Sequence, residues 1–186
     1  MVSGSTFGVV IRCFRAGEDE VVQHYAAKAV ENISIARTST FAARFATIDM
    51  AIALLGVYTG DNGSSETLRA TAVSAASRLC RRNAAIAHAL VEKPGLEWLI
   101  GAVSGGSQKV LQAALTVLGV LLADTKTVSA RVSKTMNDNR TTLLPKLLRL
   151  LEHAHPPVCR RSFTRLLIAE FWHYCCHKLV KRTERN

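Results

Sequence analysis

The chain has 186 residues, a length that suits one domain or one short array of repeats. An apolar content of 48% is enough to build a sizeable core, which argues against a largely disordered chain. The formal net charge of +10 favours polyanionic partners, such as nucleic acid, an acidic protein tail, tubulin or an anionic membrane surface.

Apolar helices are predicted in pairs along the chain, with a turn inside each pair. The first helix of each pair is predicted at 7–14, 48–57, 96–103 and 143–151. The turns at 16–19, 60–65, 104–107 and 153–157 are rich in helix-breaking and polar residues. Ser65 and Ser107 can cap the helices that follow, because a serine oxygen accepts a hydrogen bond from a free N–H group.

The second helices share an apolar pattern with the spacing i, i+3, i+4, i+7, which places four side chains on one helix face. It occurs at Ala26, Ala29, Val30 and Ile33, at Ala72, Ala75, Ala76 and Leu79, and at Ala114, Val117, Leu118 and Leu121. A looser fourth copy lies at Thr164, Leu167, Ile168 and Phe171. A period of roughly 40 to 47 residues is typical of helical repeat arrays, in which each unit covers the apolar face of its neighbour.

Three further segments, 37–44, 83–91 and 126–136, are predicted to form a short extra helix in each unit. The last of them leads into a predicted loop at 137–140, where Asn, Asp and Arg follow one another.

The leucine-rich segment 142–151 and the Ala-rich segment 26–33 resemble the armadillo repeat family, with HEAT repeats as a near neighbour. The resemblance implies an all-α fold: a right-handed α-solenoid of about four armadillo- or HEAT-like units. These units would form a single domain at 1–180, followed by a basic C-terminal tail at 181–186.

More narrowly, segment 22–33 is similar to the repeat region that follows the kinase-like domain in Fused and Unc-51-like family proteins. That resemblance implies a repeat module linked to cilia or microtubules. The chain itself contains no kinase Gly-rich loop, no His-Arg-Asp and no Asp-Phe-Gly, and no other catalytic motif is recognisable. We therefore expect a protein that is not an enzyme and needs no cofactor.

In peptide-binding armadillo proteins, an asparagine repeated in the third helix of each unit clamps an extended peptide. Asn32 has that place here, but the corresponding positions carry Arg78, Val120 and Glu170. The resemblance to nuclear-import carriers is therefore limited to the fold, and a basic groove would repel the basic signals that those carriers bind.

Six side chains are candidate partner contacts on the basic surface: Lys28, Asn32, Arg78, Arg82, Arg161 and Arg165. The predicted function is a protein-binding scaffold for an acidic, cytoskeletal or ciliary partner, and the family resemblance implies a microtubule-associated one. The alternative is a helical-repeat protein that binds nucleic acid through the same charge, although it lacks an aromatic stacking platform. A basic face that is simply solvated is the plainest interpretation of all.

His173, Cys175, Cys176 and His177 suggest a zinc site, but no second ligand pair lies at zinc-finger spacing, so helix packing is the favoured interpretation. Five cysteines without a recognisable secretion signal predict reduced thiols and a cytoplasmic location. The longest apolar run, 110–123, is too short to cross a membrane. The apolar helix at 166–172 lacks a polar cap, which predicts a partner, self-association or a continuation of the array at the C-terminal end.

Overall fold

A computed structural model describes residues 3–35, 40–59, 64–93, 95–105, 107–123, 125–143 and 145. All the regular secondary structure in these residues is helical, which confirms the predicted all-α class. The helices are α1 (Ser3–Arg12), α2 (Glu20–Ile33), α3 (Thr40–Phe45), α4 (Ile48–Thr59), α5 (Glu66–Arg82), α6 (Ala84–Glu92), α7 (Glu97–Gly105), α8 (Gln108–Leu122) and α9 (Lys126–Asp138), with a further helical turn at 140–143.

Polar caps fix where the longer helices begin. The predicted caps Ser65 and Ser107 accept hydrogen bonds from the N–H groups of Leu68 and Val110, so both predictions are confirmed. Asp19 caps α2 in the same way, by accepting from the N–H groups of two residues in its first turn. Each cap satisfies a backbone donor that the helix itself leaves unpaired.

Three helices at corresponding positions of the repeat, α2, α5 and α8, lie side by side, because α5 packs against both of the others. The preceding helix packs against two of them from one side, α4 against α5 and α7 against α8. The short extra helices form another set, in which α6 contacts α4, α5 and α9. The predicted pairing of helix, turn and helix is therefore present in the described part of the chain.

The predicted apolar stripes of α5 and α8 form the centre of the core. All eight of their positions are buried: Ala72, Ala75, Ala76 and Leu79, and Ala114, Val117, Leu118 and Leu121. Alanine at several of these positions leaves room for neighbouring helices to approach closely. The looser fourth copy, at 164–171, lies outside the described residues.

The stripe predicted for α2 is partly wrong. Ala29 is exposed and Ile33 is only partly buried, whereas Gln23, Ala27 and Glu31 are buried instead. The cause is position among the described helices: α5 has α2 on one flank and α8 on the other, whereas α2 has α5 on one flank and no other long described helix beside it. The spacing was predicted correctly, and the covered face is rotated toward α5.

The short predicted helices are present as α3, α6 and α9, within a few residues of their predicted bounds. The predicted loop at 137–140 is wrong in extent. Helix α9 continues to Asp138, and the Asn139 side chain then donates a hydrogen bond from Nδ2 to the carbonyl oxygen of Thr135 at 2.9 Å. This local bond gives the carbonyl oxygen of Thr135, near the C-terminal end of α9, a side-chain donor.

Candidate interaction surface

A cluster of polar side chains on the described surface joins α2 to α5 around one carboxylate. Glu31 lies on α2 and is only 8% exposed, and the buried residues around it are mostly apolar. Burying a carboxylate costs free energy unless charged or polar partners surround it. Three partners do so here, one from α2 and two from α5, and we call these four residues, Lys28, Glu31, Ser74 and Arg78, the Glu31 cluster.

Each carboxylate oxygen of Glu31 has its own partner. Lys28 Nζ lies 2.7 Å from Oε2, as an i, i+3 pair on α2. On the other side, the Ser74 hydroxyl donates to Oε1 at 2.7 Å and Arg78 Nη2 donates to the same oxygen at 3.3 Å. Ser74 and Arg78 are one turn apart on α5, so the carboxylate connects α2 to α5.

The balance of forces on Glu31 keeps it ionised. Burial alone would raise the pKa of this carboxyl, but the hydrogen bonds from Lys28 and Ser74 and the positive charges of Lys28 and Arg78 outweigh burial, so the pKa lies below its usual value of 4.5. At neutral pH the carboxylate of Glu31 therefore stays negatively charged between two cations, and the cluster carries a net charge of about +1.

A second carboxylate reinforces the same junction near the start of both helices. The backbone N–H of Ser65 donates to Glu20 Oε1 at 3.0 Å. Hydrogen bonds from the Ser65 side chain and backbone lower the pKa of Glu20. Because Ser65 is the N-cap of α5 and Glu20 is the first residue of α2, this contact aligns the two helices end to end.

The structure brings four of the six predicted contacts onto α2 and α5. Lys28 and Asn32 are exposed one turn apart on α2, whereas Arg78 and Arg82 are partly buried one turn apart on α5. The side chain of Lys28 is 52% exposed and that of Arg78 is 35% exposed, so each keeps part of its donor surface in water while it is paired with Glu31. The other two, Arg161 and Arg165, lie outside the described residues.

Sequence reasoning missed Glu31, which organises the surface. Its position three residues after Lys28, within a helix whose neighbouring residues are apolar, is the signal that could have identified it. The basic side chains were predicted to face a ligand, and two of them are already engaged by a carboxylate of the same chain.

A shallow groove of about 550 Å³ lies on another part of the surface, where α4 and α7 end and α5 and α8 begin. It is lined by Tyr58, Glu66, Arg69, Gly101, Gly105, Ser107 and Val110. Burial raises the pKa of Tyr58, and the positive charge of Arg69 partly offsets that effect. No pair of these side chains combines a nucleophile with a hydrogen-bonded base, so we assign no chemistry to the groove.

Within the described residues, no three His, Cys, Asp or Glu side chains come together as a metal site. The predicted zinc candidates, His173, Cys175, Cys176 and His177, lie outside those residues. Two cysteines are described, Cys13 and Cys80, and neither forms a disulfide with another described residue. None of the described helices combines the length and the apolar character that a membrane span requires.

Comparison with known proteins places kinase-named proteins among the relatives of this chain. It is 28% identical to Serine/threonine-protein kinase ULK4 of Mus musculus over 166 residues, which are 88% of this chain and 12% of the mouse protein. It is 30% identical to Serine/threonine-protein kinase RUNKEL of Arabidopsis thaliana over 153 residues, which are 81% of this chain and 11% of the plant protein.

The similarity runs through most of this chain but spans only about one eighth of the length of either relative. No protein-family model matches the chain, and no solved structure matches it significantly. The chain is thus homologous to a limited segment of two proteins named as serine/threonine-protein kinases, in line with the kinase-linked resemblance that the sequence predicted.

Proposed function

We propose that this chain is a non-catalytic scaffold, a right-handed α-solenoid of about four armadillo-like units that binds another protein on the surface of α2 and α5. The lateral order of α2, α5 and α8, with α5 between the other two, supports the solenoid. A stack of this kind presents corresponding residues of successive helices along one continuous surface.

The observation that carries the binding role is the Glu31 cluster. Its carboxylate holds Lys28 and Arg78 at fixed positions across two units, with N–O distances of 2.7 and 3.3 Å. Cations that are already positioned lose less side-chain entropy on binding than freely solvated ones. Lysine has three donors and arginine five, so each can bond a partner carboxylate while it keeps its contact with Glu31.

An acidic protein segment suits this arrangement better than a nucleic-acid backbone does. The described cluster offers a net charge of about +1 in one place, with Asn32 and Arg82 beside it, rather than an uninterrupted row of cations. Recognition of phosphates depends mainly on the number of cations that meet them. A partner with one or two carboxylates and neighbouring polar groups matches the cluster in charge and in number of donors.

The kinase-named relatives support a biological setting for this scaffold. We suggest that the chain corresponds to a repeat segment that acts beside a kinase-like domain, as the resemblance to Fused and Unc-51-like proteins implies, in the cytoplasm and in association with the cytoskeleton or a cilium. In that setting the chain contributes recognition and leaves phosphoryl transfer to other polypeptide segments.

Affinity capture from native lysate, with and without nuclease treatment, tests the protein-binding role. We expect the same proteins to be retained after nuclease treatment. Their affinity should fall about tenfold in the double variant Lys28→Ala with Asn32→Ala, because both side chains lie on the proposed surface. The matched control is Lys134→Ala with Asn137→Ala, which removes the same residue types from α9.

The proposal fails if nuclease removes every captured protein, or if the α2 variant and the α9 control bind equally well. Direct titration with duplex DNA adds a second criterion. Loss of orders of magnitude in DNA affinity between about 50 and 200 mM salt, with no protein ligand retained, would support the nucleic-acid alternative instead.

A further inference from the structure

One flank of α2 has the composition of an inter-unit interface but is open to solvent. Val22, Tyr25 and Ala29 have the spacing i, i+3, i+7 and therefore form one stripe, which we call the open flank. Val22 is 43% exposed and Tyr25 is 69% exposed, and Ala29 is also exposed. Large apolar side chains are rarely grouped in this way on a surface that contacts only water.

The repeat register shows what the same stripe does in the other units. Its equivalents are Leu68, Thr71 and Ala75 in α5, and Val110, Ala113 and Val117 in α8. All of these are buried except Thr71, which is partly buried. In α5 the stripe adjoins Ser74 and Arg78, the residues that reach Glu31 of α2, so it lies on the flank that α2 covers.

The polar edge of the open flank carries hydrogen-bond donors at the positions where α5 carries them. In the repeat register, Lys28 and Asn32 of α2 correspond to Ser74 and Arg78 of α5. Ser74 and Arg78 donate to the carboxylate of Glu31 on α2. Lys28 and Asn32 are both exposed and both carry N–H donors. An incoming helix with a carboxylate at the place of Glu31 would therefore find donors on α2 where Glu31 finds them on α5.

We infer that the open flank docks one further helical unit. Its helix equivalent to α2 is rich in alanine and aliphatic residues, carries a carboxylate at its edge and runs parallel to α2. The interface would continue the one between α2 and α5. The inference rests on the stacking of units in the proposed function, and it shares Lys28 and Asn32 with the proposed partner surface, whereas Val22, Tyr25 and Ala29 belong to the open flank alone.

The test is an added unit fused to the full chain. A duplicate of α3 to α6, with Ser77→Glu in the copy so that a carboxylate lies at the place of Glu31, is joined ahead of the first residue. Urea unfolding is followed by circular dichroism for the fusion and for the original chain. We expect one cooperative transition with a midpoint about 1 M higher in the fusion, because a docked repeat adds an interface to the array.

Val22→Glu with Ala29→Glu should abolish that rise while the original chain keeps its midpoint, since both positions are exposed before docking. The control, Ala85→Glu with Ala130→Glu, adds the same two charges at exposed positions of α6 and α9 and should retain the rise.

Two results would overturn the inference. The first is a fusion that shows no rise, or a rise that the α2 variant preserves. The second is sedimentation of the original chain as a dimer that the α2 variant dissociates, which would assign the open flank to a second copy. Neither result depends on capture of a partner, so failure of this inference is distinguishable from failure of the proposed function.

Discussion

At the residue scale, one buried carboxylate determines how two successive units meet. Glu31 is costly to bury alone but is surrounded by Lys28, Ser74 and Arg78. Removal of one charge from such a cluster leaves the others without their partner, and this usually costs more than the intact pair contributes. Glu31 is therefore the residue on which the described surface depends most.

Glu31→Gln should lower the free energy of unfolding by about 1 to 2 kcal/mol at neutral pH, because an amide cannot neutralise two cations. Urea unfolding measures the change. The control is Glu92→Gln on α6, where an exposed carboxylate lies 3.4 Å from Arg131. An exposed pair of this kind contributes little, so the control should change stability by less than about 0.5 kcal/mol. Equal effects for the two variants would contradict a special role for Glu31.

The lowered pKa of Glu31 predicts the pH dependence of this contribution. The folded state binds the proton more weakly than the unfolded state, whose carboxyl titrates near 4.5. The stabilisation is therefore fully present above that pH and is lost as the pH falls through the lower folded-state pKa. Unfolding free energies of the original chain and Glu31→Gln should differ at neutral pH and converge in acid. A difference that is constant across this range would exclude the titration of Glu31 as its source.

At the element scale, a single asparagine connects three helices. Asn83 ends α5 and caps α6, since its Oδ1 accepts from the N–H of Ala85 at 3.1 Å. Its Nδ2 also donates to the carbonyl oxygen of Ala46, just before α4, at 3.0 Å. One side chain therefore fixes the junction of α5 and α6 and ties it to the start of α4.

Asn83→Ala should destabilise the fold by about 2 kcal/mol, from loss of the cap and of the bond to Ala46. Asn83→Ser should cost about half as much, because a hydroxyl can still cap α6 but cannot span the distance to Ala46. Thermal and urea unfolding of both variants provide the comparison. Equal losses would show that the bond to Ala46 contributes nothing.

The repeat register also predicts opposite outcomes for one substitution at two equivalent sites. Ala75→Leu should cost about 1 to 3 kcal/mol, since Ala75 is completely buried and a larger side chain would force the helices apart. Ala29→Leu should change stability by less than about 0.5 kcal/mol, because Ala29 is exposed. Measurement of both by urea unfolding tests whether α5 is covered on the flank where α2 is open.

At the scale of the whole molecule, the sequence was sufficient for the helices and their order. Apolar spacing in α5 and α8 identified the buried residues, and Ser65 and Ser107 identified where those helices begin. These signals are local, since they arise from the helical period and from capping by the nearest side chains. The all-α class and the repeat period followed from them.

The sequence was not sufficient for contacts that depend on neighbours distant in the chain. Ala29 has the same local pattern as Ala75, yet only Ala75 has a helix over it. The sequence analysis treated Lys28 and Arg78 as solvated surface cations. Glu31 and Arg78 are far apart in sequence and meet only when α2 packs on α5. The sequence therefore indicated four basic or polar residues of α2 and α5, but it did not identify the carboxylate that lies between them.

The central claim is that corresponding helices are displaced in one direction, with α5 between α2 and α8. Distances between spin labels at three exposed, equivalent positions, Val21, Thr67 and Lys109, measure this directly. Dipolar broadening of continuous-wave spectra gives the adjacent pairs, and double electron–electron resonance gives the outer pair. Packed helix axes lie about 8 to 10 Å apart, so the separation between Val21 and Lys109 should be about twice that of either adjacent pair. Three similar separations would place the helices around a common centre, as in a closed bundle, and would contradict the stacked array.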